Sequence, residues 1–267
     1  EALAEVQASV ARPGRTVDIV EADLATAEGR AHLVETADQL GHAAIEIMSG
    51  MFEPAGEDYS SLESIKRTGG LRPDATWHDN QTRARECAEI ASALGMSLVT
   101  FHAGFIPHDP ADAERQVMIG RLRTVADIFA DRGVTLGLET GQETASTLVS
   151  LLEEVDRDSI GVNFDPANMV LYDMGDPIAA LGALGAWVIQ AHLKDATATT
   201  TPGEWGTEVP VGTGDVDWPA FGAALSMLPG VVPVAFEREA GDQRVEDICA
   251  GVAALSVMHQ FRGAFDG

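Results

Sequence analysis

The chain has 267 residues, of which 42 are acidic and 17 basic, and its formal net charge is −25. This charge excludes a nucleic-acid-binding protein, because that class neutralises phosphates with Lys and Arg, and it disfavours contact with anionic lipid for the same reason. The sequence is 45% apolar, yet it contains no run of roughly 18 apolar residues that would span a membrane. We therefore expect a globular protein without nucleic-acid or membrane partners.

The two cysteines, Cys87 and Cys249, lie far apart in helical patterns and belong to no CxxC or Cys/His cluster. Thiols of this kind are typical of a reducing compartment, and the chain opens without a signal-type segment. We therefore expect a cytoplasmic protein. Because the chain begins with Glu1 rather than Met, we also expect residues upstream of it.

The first part of the chain predicts two strands separated by a long helix. Leu3–Val10 and His42–Met51 are apolar enough to be strands, and Ala22–Leu40 between them has helical periodicity. A short strand at Val17–Val20 is an alternative.

Five clearer strands follow, and none of them alternates strictly between polar and apolar residues. This pattern is typical of strands covered on both faces, as in a parallel sheet. Amphipathic helical patterns separate them, and glycines follow several helix ends. The five strands are Ser97–His102, Val134–Glu139, Ile160–Asp165, Trp187–His192 and Val231–Glu237.

The alternation of strands and helices predicts βαβ units and an α/β fold with a parallel sheet. The length suits a single (β/α)8 TIM-barrel domain over residues 1–267. Seven strands can be counted, so we expect the first strand of the barrel to precede Glu1. An irregular but complete barrel that uses Val17–Val20 is the alternative.

Each of the five clear strands ends in a carboxylate or an imidazole. The C-terminal ends of barrel strands form a ring, so these side chains are expected to point toward one centre. Carboxylates and imidazoles are ligands for hard or borderline divalent metals. The five residues are His102, Glu139, Asp165, His192 and Glu237.

Three carboxylates with one His suit Mn²⁺ best, with Mg²⁺, Co²⁺ and Zn²⁺ as alternatives. Such an ion can hold two adjacent oxygens of a sugar, polarise its carbonyl and stabilise the enediolate that forms when the neighbouring carbon loses a proton. Glu139 and Glu237, on opposite sides of the ring, are placed to remove and return that proton.

Six segments around these residues share the pattern of a known family. They cover the last two thirds of the chain and read VTFHAGFIP (99–107), LGLETGQET (136–144), GVNFDPANMVLY (161–172), QAHLKDA (190–196), VPVGTGDVDWPAF (209–221) and FEREAG (236–241). As a set they resemble the xylose isomerase-like TIM-barrel superfamily, in particular its sugar phosphate isomerase/epimerase group.

The resemblance implies a metal site and an activity. Ketose 3-epimerases of this group bind their metal through a Glu, an Asp, a His and a Glu at successive strand ends, which correspond here to Glu139, Asp165, His192 and Glu237. The two glutamates form the acid/base pair in those enzymes. The implied function is a divalent-metal-dependent sugar isomerase or epimerase with a small-molecule sugar substrate. Because barrels of this type commonly pair, a homo-oligomer is also expected.

One position departs from the epimerase pattern. Those enzymes carry a substrate-binding His three residues after the ligand Asp, where this chain has Asn168. This change also argues against the three-zinc cluster of the related apurinic endonucleases. The reaction therefore stays open between isomerisation and a lyase or dehydratase reaction on a keto-sugar, an inosose or a 3-keto-glycoside. A sugar-binding barrel subunit without catalytic activity is a further alternative.

Further residues are candidates for substrate binding. Lys194 is placed to neutralise an oxyanion, and Asp195 to orient His192 or bind substrate; a surface ion pair is the alternative for both. Two long connections, Met51–Asn80 and Ala196–Trp218, are typical of functional loops, and a Trp in each is placed to stack on a sugar face. The candidates are His102, Gln142, Asn168, Lys194, Asp195, Trp77 and Trp205.

Overall fold

The computed structural model describes residues 47–201 and 203–261. Of the strand predicted at His42–Met51, only the end falls within these ranges, and Gly50–Met51 is a strand there. The remaining N-terminal predictions lie outside the described residues: Leu3–Val10, Val17–Val20, Ala22–Leu40 and the strand expected before Glu1.

Strands and helices alternate along the described chain. The strands are β1 (Gly50–Met51), β2 (Leu98–Phe101), β3 (Thr135–Glu139), β4 (Ile160–Phe164), β5 (Val188–Leu193), β6 (Asp195–Thr197), β7 (Thr207–Val209) and β8 (Val234–Phe236). The helices are α1 (Leu62–Thr68), α2 (Trp77–Ala93), α3 (Ala113–Ala130), α4 (Ala145–Val155), α5 (Pro166–Leu171), α6 (Pro177–Leu184), α7 (Trp218–Leu225) and α8 (Arg244–Ser256). Short 3₁₀ turns occur at Asp74–Thr76 and His259–Phe261.

Six strands form one parallel sheet in the order β1-β2-β3-β4-β5-β8. Every residue of β2 and β4 is buried, which explains why these strands read as continuous apolar runs. The predicted parallel α/β sheet is confirmed in the described residues. Because the strands are parallel, their C-terminal ends meet at one edge of the curled sheet.

Side-chain caps begin several of the helices. The side chains of Asp112, Thr144 and Asp217 each accept a hydrogen bond from a backbone N–H in the first turn of α3, α4 and α7. Proline occupies the first turn of α5, α6 and α7, where its missing N–H costs no hydrogen bond. These caps and prolines fix the residues at which α3 to α7 begin.

The two long connections have more structure than the sequence predicts. Met51–Asn80 contains α1, a 3₁₀ turn and the first residues of α2, so its description as a long loop is wrong. Ala196–Trp218 includes most of an antiparallel pair formed by β6 and β7. Cys87 and Cys249 are not joined by a disulfide, and Cys87 is buried. Among the described residues, no helix is both long and apolar enough to cross a bilayer.

Candidate metal centre

Three carboxylates and one imidazole converge at the C-terminal edge of the parallel sheet. Glu139 is the last residue of β3, and His192 is the penultimate residue of β5. Asp165 and Glu237 directly follow β4 and β8. One ligand atom of each residue lies within 4.8 Å of the corresponding atoms of the other three. The structure thus brings together the four residues expected to hold a metal.

The ring of His192 faces all three carboxylates. Its Nδ1 lies 3.2 Å from Glu237 Oε2, 3.5 Å from Glu139 Oε1 and 3.6 Å from Asp165 Oδ2. On the other side of the ring, Nε2 lies 3.1 Å from the side-chain amide of Asn163. That contact holds the ring in the orientation that points Nδ1 into the cluster, as neighbours of a metal-ligating His commonly do.

The cluster fits a divalent cation. His192 Nδ1 and Asp165 Oδ2 are buried and have no hydrogen-bond partner among the described residues, although buried polar atoms are nearly always paired. Burial lowers the pKa of His192, but Glu139 and Glu237 raise it more, so that it lies well above its ordinary value. A positive charge at this centre is therefore favoured, and the three oxygen donors with one nitrogen match a hard or borderline ion.

Neutral amides hold Glu139. Asn168 Nδ2 donates to Glu139 Oε1 at 2.9 Å, and Asn163 Nδ2 lies 3.4 Å from Oε2. His102 Nε2 is 3.7 Å from Oε1. Burial raises the pKa of Glu139, whereas His102 and His192 lower it, and the net pKa is below the ordinary value. Asn168, a predicted substrate contact, thus positions the Glu139 carboxylate.

An ammonium group holds Glu237. Lys194 Nζ donates to Glu237 Oε2 at 2.9 Å and to Glu239 Oε2 at 2.6 Å, and it lies 3.8 Å from Asp165 Oδ2. Only 2% of Lys194 is exposed, so the alternative of a surface ion pair is wrong for this residue. Burial lowers the pKa of Lys194, but Asp165 and Glu237 raise it well above the ordinary value. The pKa of Glu237 is lowered, against the effect of burial, by His192 and Lys194.

Asp195 has a different surrounding from the one expected. It is fully buried, and its carboxylate accepts hydrogen bonds from five N–H groups rather than orienting His192. The donors are the backbone N–H groups of Ala196, Gly212, Gly214 and Val216 and the indole Nε1 of Trp218. Asp195 therefore anchors the loop between β7 and α7, and neither a surface ion pair nor contact with His192 describes it.

His102 and Gln142 both lie at the same edge of the sheet as the cluster. His102 follows β2, and its Nδ1 is buried without a partner among the described residues. Gln142 lies three residues after Glu139, and neither of its amide atoms has a partner there. Both residues therefore have buried polar atoms available for a ligand.

The two tryptophans have aromatic or cationic neighbours. Trp77 begins α2, and the guanidinium of Arg121 lies over its ring at 5.2 Å from the centroid. Trp205 packs edge-on against Tyr172 with 6.4 Å between ring centroids. Trp77 thus contacts α3, whereas Trp205 packs beside Tyr172, which lies on the helix that Asp165 caps.

Sequence reasoning assigned no role to three residues, Glu57, Tyr59 and Tyr172. Tyr59 donates to Glu57 Oε2 at 3.4 Å; burial raises the pKa of the Tyr59 phenol, and the charges of Glu57, Tyr172 and Glu139 raise it further, so Tyr59 interacts electrostatically with one carboxylate of the cluster. Tyr172 is the C-cap of α5, the helix that Asp165 caps at its other end. Two features of the sequence could have indicated these residues. Tyr172 ends one of the six matching segments, and Glu57 and Tyr59 lie in the long Met51–Asn80 connection.

A family model described as xylose isomerase-like TIM barrel matches residues 17–251. The chain belongs to this family. The predicted TIM-barrel fold and the resemblance noted from the sequence are thereby confirmed, and the six parallel strands form the described part of that barrel.

Two curated proteins are similar in sequence. The uncharacterised protein YihM of Escherichia coli is 28% identical over 169 residues, which are 60% of this chain and 52% of YihM. The probable L-ribulose-5-phosphate 3-epimerase UlaE of Mycoplasma pneumoniae is 27% identical over 202 residues, 72% of this chain and 63% of UlaE. The matches therefore span between about half and just under two thirds of these relatives.

Solved structures share the fold. A xylose isomerase domain protein from Planctomyces limnophilus is 30% identical with a TM-score of 0.79, over 85% of this chain and 81% of that one. The probable 3-DHS dehydratase AsbF of Bacillus anthracis is 17% identical with a TM-score of 0.63, over 85% and 82%. A xylose isomerase-like TIM-barrel protein from Mycobacterium smegmatis, in complex with magnesium, is 18% identical with a TM-score of 0.64, over 87% and 78%. The last two identities show similarity of fold alone.

Proposed function

We propose that this chain is a divalent-metal-dependent sugar isomerase or epimerase. The observation that carries the proposal is the convergence of Glu139, Asp165, His192 and Glu237 within 4.8 Å, where His192 Nδ1 and Asp165 Oδ2 have no hydrogen-bond partner among the described residues. These four residues would hold the ion, for which Mn²⁺ is our first choice, followed by Mg²⁺, Co²⁺ and Zn²⁺. The substrate would be a small sugar or sugar derivative.

When bound, the ion would orient two neighbouring sugar oxygens and withdraw charge from the carbonyl. Glu139 and Glu237 both lie close to His192, at 3.5 and 3.2 Å from its Nδ1. One carboxylate would take the proton beside the carbonyl, and the other would return a proton on the opposite face or at the neighbouring carbon. Lys194, whose ammonium is buried beside Glu237, would neutralise charge that develops on a sugar oxygen.

A lyase or dehydratase reaction is the second candidate, and the contact made by Asn168 favours it. In the epimerases that this chain resembles, the residue at that position binds substrate oxygens, whereas Asn168 donates to Glu139. The same first step, proton removal beside a carbonyl, leads to elimination when a leaving group is attached to the next carbon. The two candidate reactions thus share the metal and the base. They differ in whether the substrate is protonated again or loses a group after the proton has been removed.

Metal content tests the site. We would measure bound metal by mass spectrometry in the natural protein and in the Glu139→Gln and His192→Ala variants, with Glu153→Gln as the control because Glu153 is an exposed carboxylate of α4. Both site variants should lose most of the metal, and the control should retain it. Full metal content in both site variants would refute the site.

Hydrogen exchange tests the reaction. Ketoses and keto-glycosides would be incubated with the metal-loaded enzyme in deuterated water and followed by NMR. Incorporation of deuterium next to the carbonyl without loss of a group supports isomerisation or epimerisation. Release of water or of an aglycone supports the lyase, and no exchange with any member of the panel counts against both.

A further inference from the structure

Gln142 has an unusual environment for a buried amide. It lies in the loop between β3 and α4, three residues after Glu139, and only 3% of it is exposed. Neither its Oε1 nor its Nε2 has a hydrogen-bond partner among the described residues. Because an unpaired buried amide destabilises a folded protein, these atoms are best explained as a binding group that a ligand satisfies.

Tyr172 lies on the helix against which the Gln142 loop packs: the backbone of Gly141 contacts Asn168 of α5, and Tyr172 is the C-cap of that helix. Its ring packs against Phe105 and Trp205, with 5.8 and 6.4 Å between ring centroids. Burial raises the pKa of the Tyr172 phenol, while the nearby Gln142 side chain and the Lys194 ammonium lower it in part. The Gln142 side chain and the Lys194 ammonium thus both act on the phenol. Aromatic rings can pack against the apolar face of a sugar, and a phenol and an amide can form hydrogen bonds with its hydroxyl groups.

The charges around this space disfavour an anionic ligand. Three carboxylates, those of Asp165, Glu237 and Glu239, lie within 3.8 Å of the Lys194 ammonium, and the charges of Glu57, Tyr172 and Glu139 add to the effect of burial in raising the pKa of Tyr59. Lys194 is already bound by Glu237 and Glu239. The ammonium of Lys66 lies over the Phe105 ring at 5.3 Å from its centroid. This cation therefore already interacts with an aromatic face.

We propose that the Gln142 amide and the Tyr172 phenol form a subsite that binds the hydroxyl groups of an uncharged sugar, in preference to a sugar phosphate. This inference rests on the proposed function, because the subsite would hold the part of the sugar that lies beyond the metal centre. It assigns Gln142 and Tyr172 to substrate selection and gives neither of them a part in proton transfer.

Binding to the metal-loaded protein tests the subsite. The probes are L-ribulose, D-tagatose and D-fructose, each paired with a phosphate ester of the same sugar, and affinity is measured by ligand-observed NMR. At least one free ketose should bind more tightly than its ester. Gln142→Met should weaken that binding by at least about tenfold, the loss expected when one good hydrogen bond is removed. Tyr172→Phe should weaken it while keeping the ring contacts.

The melting temperature of the ligand-free protein separates binding from a structural role. Since the Gln142 amide has no hydrogen-bond partner within residues 47–201 and 203–261, Gln142→Met should not lower this temperature, whereas removal of a structural hydrogen bond would. Gln116→Met, on an exposed position of α3, is the control and should alter neither binding nor stability.

Three results would overturn the proposal: tighter binding of the phosphate esters, binding unchanged in Gln142→Met, or no binding of any free ketose. Metal content and hydrogen exchange are measured on the same samples. Loss of those signals in the natural protein refutes the proposed function, whereas their retention with unchanged binding in Gln142→Met refutes the subsite alone.

Discussion

Asp195 offers a sharp test of how the site is built, because its carboxylate is fully buried and accepts five hydrogen bonds. In Asp195→Asn, one acceptor oxygen is replaced by an NH₂ group that faces N–H donors. Hydrogen bonds to a charged group contribute about 1.5–3 kcal/mol each, but five donors that share one carboxylate are not additive. We expect the free energy of unfolding to fall by about 4 kcal/mol, a large value for one substitution.

For a chain of this size, a loss of 4 kcal/mol corresponds to a decrease of roughly 8–16 °C in melting temperature. Circular dichroism measures this decrease, and Asp217→Asn is the matched control. Asp217 is an exposed N-cap of α7, and Asn caps a helix about as well as Asp, so the control should melt within about 2 °C of the natural protein. If Asp195→Asn also melts within that range but raises KM, Asp195 binds substrate and the anchoring role is wrong.

Three further predictions concern titration and reactivity. Burial raises the pKa of Glu143 to about 8, so between pH 4.5 and 8 the unfolded state loses a proton that the native state retains, and stability falls as pH rises. Thermal melts should therefore show Glu143→Gln stabilised by roughly 3–5 kcal/mol at pH 8, with little effect near pH 4.5; equal effects at both pH values would contradict this. The pKa of His192 is raised by the surrounding carboxylates, so metal binding should release about one proton and become tighter as pH rises. Calorimetry in buffers of different ionisation enthalpy measures the released proton. A binding enthalpy that does not depend on the buffer would count against His192 as a ligand. Burial raises the pKa of Cys87 to about 12, so a thiol reagent should titrate at most one of the two cysteines in the native protein and both after denaturation; two fast-reacting native thiols would disprove the burial.

The sequence allowed the parallel sheet and the ends of its strands to be predicted because both depend on local patterns. Buried strands such as β4 are apolar throughout, and a polar residue marks the point where each strand leaves the core. Strand position therefore indicated Glu139, Asp165, His192 and Glu237, together with His102, as candidates, and the family resemblance selected the four as predicted ligands. Parallel pairing then places such residues at one edge of the sheet, which is why the ring could be expected before any distances were known.

The environments of these residues depend on long-range contacts and could not be predicted in the same way. Asp195 follows Lys194 directly, yet one side chain binds N–H groups of residues 212–218 and the other binds Glu237 and Glu239. Lys194 lies between β5 and β6, and Asp195 begins β6, so these neighbours in the QAHLKDA segment have separate roles. The helix α1 was missed because its sequence is short and polar, without the apolar periodicity that marks a longer helix.

The two glutamates of the cluster are chemically unequal, and this inequality bears on the reaction. Glu139 is held by the neutral amides of Asn168 and Asn163, whereas Glu237 accepts from the Lys194 ammonium. An adjacent ammonium favours the ionised carboxylate and so weakens it as a base more than an amide does. We infer that Glu139 removes the proton from the substrate, while Glu237 stays ionised beside the Lys194 ammonium. An enzyme that interconverts two epimers needs an effective base on each face, whereas an isomerase or a lyase needs only one base that later gives up its proton. The asymmetry therefore favours a reaction in which Glu139 takes the proton and, once protonated, returns it to the neighbouring carbon or to the leaving group.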